Sequence, residues 1–157
     1  MNKENLNLLF DFIQNNEGKQ IPLLWKWKNN IPLTKEDLNI KGDLDLSETP
    51  IGSLPNGLVV SGALFLTSTN ITSLPEGLEV GSSLHLEDTK ITSLPKGLKV
   101  GGNMDLEWTN ITHLPEGLEV GGTLFISNTP LTKYSDEELR EMVKPGFIKR
   151  KIHRSWL

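Results

Sequence analysis

Residues 61–120 read SGALFLTSTNITSLPEGLEV, GSSLHLEDTKITSLPKGLKV and GGNMDLEWTNITHLPEGLEV, one 20-residue phrase written three times without a gap. A looser copy, LNIKGDLDLSETPIGSLPNGLVV (38–60), precedes them, and GGTLFISNTPLTKY (121–134) begins another. A chain that repeats itself at a period of 20 to 30 residues stacks identical coils into a solenoid, because one unit alone cannot bury its apolar face.

Aligned, the copies assign a task to each column. Leu44, Leu64, Leu84, Met104 and Leu124 stand two residues before Leu46, Leu66, Leu86, Leu106 and Ile126, the period of a strand with one buried face. The columns led by Ile51, Leu54, Leu58 and Val60 complete the inward set. One strand per repeat predicts a single parallel sheet of about five strands, at about 4.8 Å spacing. On the return limb, Pro55, Pro75, Pro95 and Pro115 each stand two residues before a glycine, which forbids a regular helix and allows a tight bend. Glycine-rich corners at 62, 81, 101–102 and 121–122 turn the chain back into the strand. Glu76, Lys96 and Glu116 share one column and Glu79, Lys99 and Glu119 another, so signs alternate between adjacent coils.

Segments unlike the repeat flank the array. In residues 4–16, Leu6, Leu9, Phe10 and Ile13 fall at helical spacing, and an extended piece or short turn is expected through IPLLWKWKNNIP. Thr34, with Asp37 three residues on, reads as a helix N-cap. Residues 1–37 are therefore an N-terminal capping segment. After Tyr134, SDEELREMV predicts a helix capped by Ser135 or Asp136, with Leu139, Met142 and Val143 facing inward. Residues 135–157 form a C-terminal cap helix and a basic tail. The whole is one α+β repeat domain, a β-solenoid of five repeats over 38–134 with a helical cap at each end.

The 157 residues contain no cysteine, which removes disulfides, thiol nucleophiles and cysteine-ligated zinc. No signal peptide or membrane-length apolar run is present, so a cytoplasmic protein is expected. Residues 41–134 carry eleven acids against five bases, while Lys144, Lys149, Arg150, Lys151 and Arg154 follow without an acid. An acidic body with a basic end results. That end has three readings: a solvated terminus, neutralisation of the body, or contact with nucleic acid through Lys, Arg and Trp156. Five charges are few, and the body repels the same ligand, so nucleic acid is the weaker partner.

The pattern LxLxxTxIxSLPxGLxV, in five in-phase copies over residues 38–134, resembles the leucine-rich repeat, LxLxxNxLxxLPxxLxxL. It is closest to the short repeats of bacterial effectors and of phage and bacterial proteins. Thr49, Thr69, Thr89, Thr109 and Thr129 stand where that family usually places a buried asparagine. Both a horseshoe and a flatter solenoid stay open on that ground. The resemblance implies a protein partner bound on the outward sheet face and, for a phage-encoded chain, a target in the host cytoplasm.

Motifs for chemistry are sparse. The recurring Ser53, Ser73 and Ser93 belong to the repeat, no phosphate loop occurs, and His85, His113 and His153 lie far apart in sequence. What the repeat does not dictate is the outward face: Asp45, Phe65, His85, Asp105 and Phe125 in one column, flanked by Glu87, Glu107 and Trp108. Large apolar groups within an acidic rim have the composition of a binding hot spot. The candidate partner-binding residues are Phe65, His85, Glu87, Asp105, Glu107, Trp108 and Phe125, with no cofactor, metal or catalytic residue assigned. The alternative is a metal or acid–base site from His85, Glu87, Asp105 and Glu107, whose side chains on neighbouring strands would lie about 5 Å apart.

Overall fold

The structure, a computed structural model, describes residues 23–154. Two compact units divide the chain, Met1–Leu38 and Asn39–Leu157. The helix expected over 4–16, and Trp156 and Leu157 at the other end, lie outside the described residues.

In the first unit, the stretch expected to be extended is a helix, α1 (Leu23–Lys28), with Lys26 and Lys28 in its last turn. The Trp-Lys alternation that imitates a strand is only four residues long, and nothing in LLWKWK breaks a helix. Asn29 closes it, its side-chain amide donating to the Trp25 carbonyl at 2.8 Å. Thr34 caps the next turn as expected. Its backbone N–H donates to Asp37 Oδ2 at 2.8 Å, and the Asp37 N–H returns to Thr34 Oγ1 at 3.2 Å. Lys26 Nζ meets Asp37 Oδ1 at 2.6 Å in a pair largely shielded from water. Lys26, with the Thr34 amide, holds the Asp37 carboxyl below its ordinary range.

The second unit is a parallel β-solenoid with two sheets. The first sheet stacks β1 (Asn39–Ile40), β3 (Val59–Val60), β5 (Glu79–Val80), β7 (Lys99–Val100), β9 (Glu119–Val120) and β11 (Phe147–Ile148). The second stacks β2 (Leu44–Asp45), β4 (Leu64–Phe65), β6 (Leu84–His85), β8 (Met104–Asp105), β10 (Leu124–Phe125) and β12 (Ile152–His153). The single sheet of about five strands is thereby corrected to two sheets of six. Two features account for this. The corner between Val60 and Leu64, and its equivalents, breaks each strand in two, so every coil pairs on both sides of a bend. A sixth rung comes from residues read as a basic tail: Phe147 pairs with Glu119 and Ile152 with Leu124.

The corners stack closely enough to dictate glycine. A Cβ on Gly81, Gly101 or Gly121 would lie within 2.2 Å of the backbone oxygen of the corner before it. No side chain fits that gap, and the Gly101 and Gly121 N–H groups bond Val80 and Val100 of the preceding coil at 2.9 and 2.8 Å. At the return bend, Gly57, Gly77, Gly97 and Gly117 adopt positive φ between 66 and 78°.

Leu64, Leu66, Ile71, Leu84, Leu86, Ile91, Leu106 and Ile111 are fully buried, with Leu58, Leu78, Leu98 and the column Val60, Val80, Val100 and Val120 of the first sheet. Each such side chain contributes roughly 1.5–3 kcal/mol of transfer free energy, so the core grows by a fixed increment per coil. Leu44 and Ile51 of the first coil are only half-buried. The threonine column bonds within each coil and not between coils. Each Oγ1 donates to the carbonyl three residues back in its own coil, as Thr89 does to Leu86 at 2.8 Å and Thr109 to Leu106 at 2.6 Å. On the first sheet Glu79, Lys99 and Glu119 are in register, and Lys96 stands 3.5 Å from Glu116 on the exposed limb. Such solvated pairs are worth at most about 1 kcal/mol and serve register more than stability.

After η1 (Pro130–Lys133) comes α2 (Asp136–Met142), capped by Ser135 through a reciprocal capping box with Glu138. Leu139 and Val143 are buried, while Met142, expected inward as well, is half-buried. Arg140 donates to the carbonyls of Ile148 and Arg150, which ties α2 to the last rung. Arg154 pairs with Asp136 and donates to the Tyr134 carbonyl at 3.0 Å. No helix among the described residues is long and apolar enough to cross a membrane.

Candidate functional site

The outer face of the second sheet carries one column across all six rungs: Asp45, Phe65, His85, Asp105, Phe125 and His153. An Asp–Phe–His order thus occurs twice. His153 was missed from sequence because the step into the last rung is 28 residues, from Glu119 to Phe147, where every earlier step is 20. The interposed η1 and α2 hide the register. Within the column, Phe65 stacks on His85 at 4.7 Å between ring centroids and 11° between planes. Phe125 and His153 repeat the contact in a tilted form at 5.4 Å and 50°.

The two histidines differ in their partners. His85 Nδ1 lies 3.0 Å from Glu87 Oε1, two residues on along the same coil. His153 Nδ1 is buried without a hydrogen bond, as is Ser127 Oγ in the flanking column. Glu87 Oε2 accepts from Thr67 Oγ1 of the preceding rung at 3.0 Å. Asp105 Oδ1 accepts the Glu107 N–H at 3.0 Å. His85, Glu87 and Asp105 each present a ligand-type atom, and the three atoms lie within 4.8 Å of one another.

Asp45 and Asp105 show what the neighbours do. Each accepts the backbone N–H two residues on at 3.0 Å. At Asp45 that bond from Ser47 lowers the carboxyl pKa. At Asp105 burial, then the charges of Glu87 and Glu107, outweigh it and push the carboxyl up to about 7. The same bond therefore stabilises the anion on a solvated rung and fails to on a crowded one.

Beside this column the chain makes a tight turn in every coil, and its third residue is left-handed: Glu48, Ser68, Asp88, Trp108 and Asn128, with φ from 54 to 59°. Asn and Asp tolerate this region, whereas a bulky residue there is an outlier. Trp108 holds φ 59° and is 60% exposed. It borders a groove of about 450 Å³ crossing three coils, lined also by Ser68, Asn70, Asp88, Lys90 and Asn110.

The structure thus brings Phe65, His85, Glu87, Asp105 and Phe125 onto one face, half-buried, with Trp108 projecting at its edge. Glu107 belongs to the same region but is only 3% exposed, so it acts on its neighbours and offers little surface of its own. The strained backbone at Trp108 and the orphaned Ser127 Oγ leave no trace in sequence. No family model matches the chain, and neither a curated protein nor a solved structure does. Fold and site together define a parallel β-solenoid with an aromatic and acidic outer face.

Proposed function

We propose that the protein is a non-catalytic protein-binding module of the leucine-rich-repeat kind, which engages its partner through the outer face of the second sheet. The observation that carries this reading is Trp108, a large apolar side chain kept 60% exposed at a backbone position that disfavours it. Strain retained in a repeat that elsewhere fills the position with Glu, Ser, Asp or Asn points to selection for the side chain itself. Phe65, His85 and Phe125 extend the surface across neighbouring rungs, and the acidic Glu87, Asp88 and Asp105 favour a partner with a basic patch. Stacked two-residue strands hold these groups at fixed spacing, so little ordering entropy is lost on association. A host-protein target rests on the family resemblance alone.

The test is affinity capture from the native cell with wild type and with a Phe65→Ala/Trp108→Ala/Phe125→Ala variant of unchanged circular dichroism. Partners retained by wild type and lost by the variant support the reading; equal recovery of the same partners places the interface elsewhere.

A further inference from the structure

We propose that His85, Glu87 and Asp105 form a binding site for one divalent transition-metal ion of the Zn²⁺ or Mn²⁺ class. This goes beyond the proposed partner surface, which needs no metal. The geometry begins with the ligand atoms, which converge from two adjacent rungs to within 4.8 Å of one another. Ligands around one ion at about 2.1 Å stand roughly 3.4 Å apart in a tetrahedral array. The His85–Glu87 pair is already at 3.0 Å, so closure asks only a small rotation of Asp105 toward it.

Each ligand is oriented by a group outside the cluster's own contacts. Phe65 lies flat against the imidazole and fixes its plane. Thr67 Oγ1 donates to the far oxygen of Glu87 at 3.0 Å. The Glu107 N–H donates to Asp105 at 3.0 Å. Outer contacts of this type hold ligands in metal sites and set their basicity.

Glu107 adds a third carboxylate, one rung on in the column of Glu87, and its charge acts on Asp105. Three carboxylates therefore stand on two adjacent rungs, and among the described residues their ion-pair partner is the imidazole of His85, at Glu87. Carboxylates gathered in one place repel one another, and a divalent ion among them offsets that repulsion. One imidazole with carboxylates suits a borderline ion, whereas Ca²⁺ and Mg²⁺ prefer an all-oxygen shell.

The experiment is calorimetric titration of tag-free full-length protein with Zn²⁺, Mn²⁺, Ca²⁺ and Mg²⁺. Wild type is expected to take one Zn²⁺ or Mn²⁺ per chain. Loss of His85 (His85→Ala) abolishes saturable binding, Thr67→Val, which removes the hydroxyl on Glu87, weakens it about ten- to a hundredfold, and Asp45→Asn on the same column leaves it unchanged. A readout free of variants accompanies it: Mn²⁺ broadens the ring proton resonances of His85 and leaves those of His113 sharp. No saturable heat with Zn²⁺ or Mn²⁺, binding by His85→Ala equal to wild type, binding of Ca²⁺ or Mg²⁺ alone, or broadening of both histidines alike overturns the proposal. All are measured without a partner, so failure here leaves the interaction surface standing, and failure of partner capture leaves the metal site standing.

Discussion

Phe65 lies face to face with His85 across adjacent strands, 4.7 Å between centroids and 11° from parallel. That contact fixes the imidazole toward Glu87 and Asp105, and it organises the outer face around the boundary between β6 and β8.

Asp105 makes the stability of that boundary pH-dependent in an unusual direction. Its carboxyl binds a proton more tightly when folded, at about 7, than at its ordinary value of 3.8. Between these values the folded state holds the extra proton, so this group's contribution favours folding below pH 4 and fades as pH rises through 7. In chelator-treated protein, wild type is expected to lose more melting temperature between pH 5 and 8 than Asp105→Asn, and the variant is the more stable of the two at pH 8. Asparagine keeps the oxygen that accepts the Glu107 N–H. Parallel pH profiles for the two proteins would contradict this account.

Trp108 trades stability for surface. Placing asparagine there, as at Asn128 one rung on, relieves a left-handed tryptophan that costs about 1 kcal/mol. Because the side chain is 60% exposed, little packing is lost in return. Urea denaturation is expected to show Trp108→Asn more stable than wild type by about 1 kcal/mol, whereas a less stable variant would mean the indole is held by contacts that matter to the fold.

Two glycines one bend apart separate space from conformation. A Cβ at Gly101 meets the Gly81 carbonyl oxygen at 2.2 Å, while at Gly97, with φ +66°, nothing lies within 4 Å. Gly101→Ala forces two rungs apart and costs about 3 kcal/mol, at the upper end for overpacking. Gly97→Ala carries only the left-handed penalty of about 1 kcal/mol. Equal losses in urea melts would show that the corners do not stack as closely as described.

The repeat made the inward columns legible, because Leu66, Leu86 and Leu106 recur at one phase and burial follows from phase alone. It also placed Phe65, His85, Asp105 and Phe125 on the outward side. What it could not give was the number of sheets: a two-residue strand on each side of a Gly corner has the same apolar pattern as one longer strand. The last rung was hidden for a different reason. Ile152 and His153 repeat the column, but α2 lengthens the preceding coil, and pairing by register survives an insertion that periodicity does not. Glu107 looked like a surface acid by its phase, and only the packing of the turn around it reveals its burial.

The Trp108 edge of the second sheet is where we propose that a protein partner binds. The most direct test is quantitative affinity capture from native cells with three proteins: wild type, Trp108→Asn, and Lys96→Ala on the return limb. Lys96→Ala is expected to recover the wild-type partners in full, whereas Trp108→Asn, though at least as stable, is expected to lose them. Recovery of those partners by Trp108→Asn at the wild-type level would contradict the proposal.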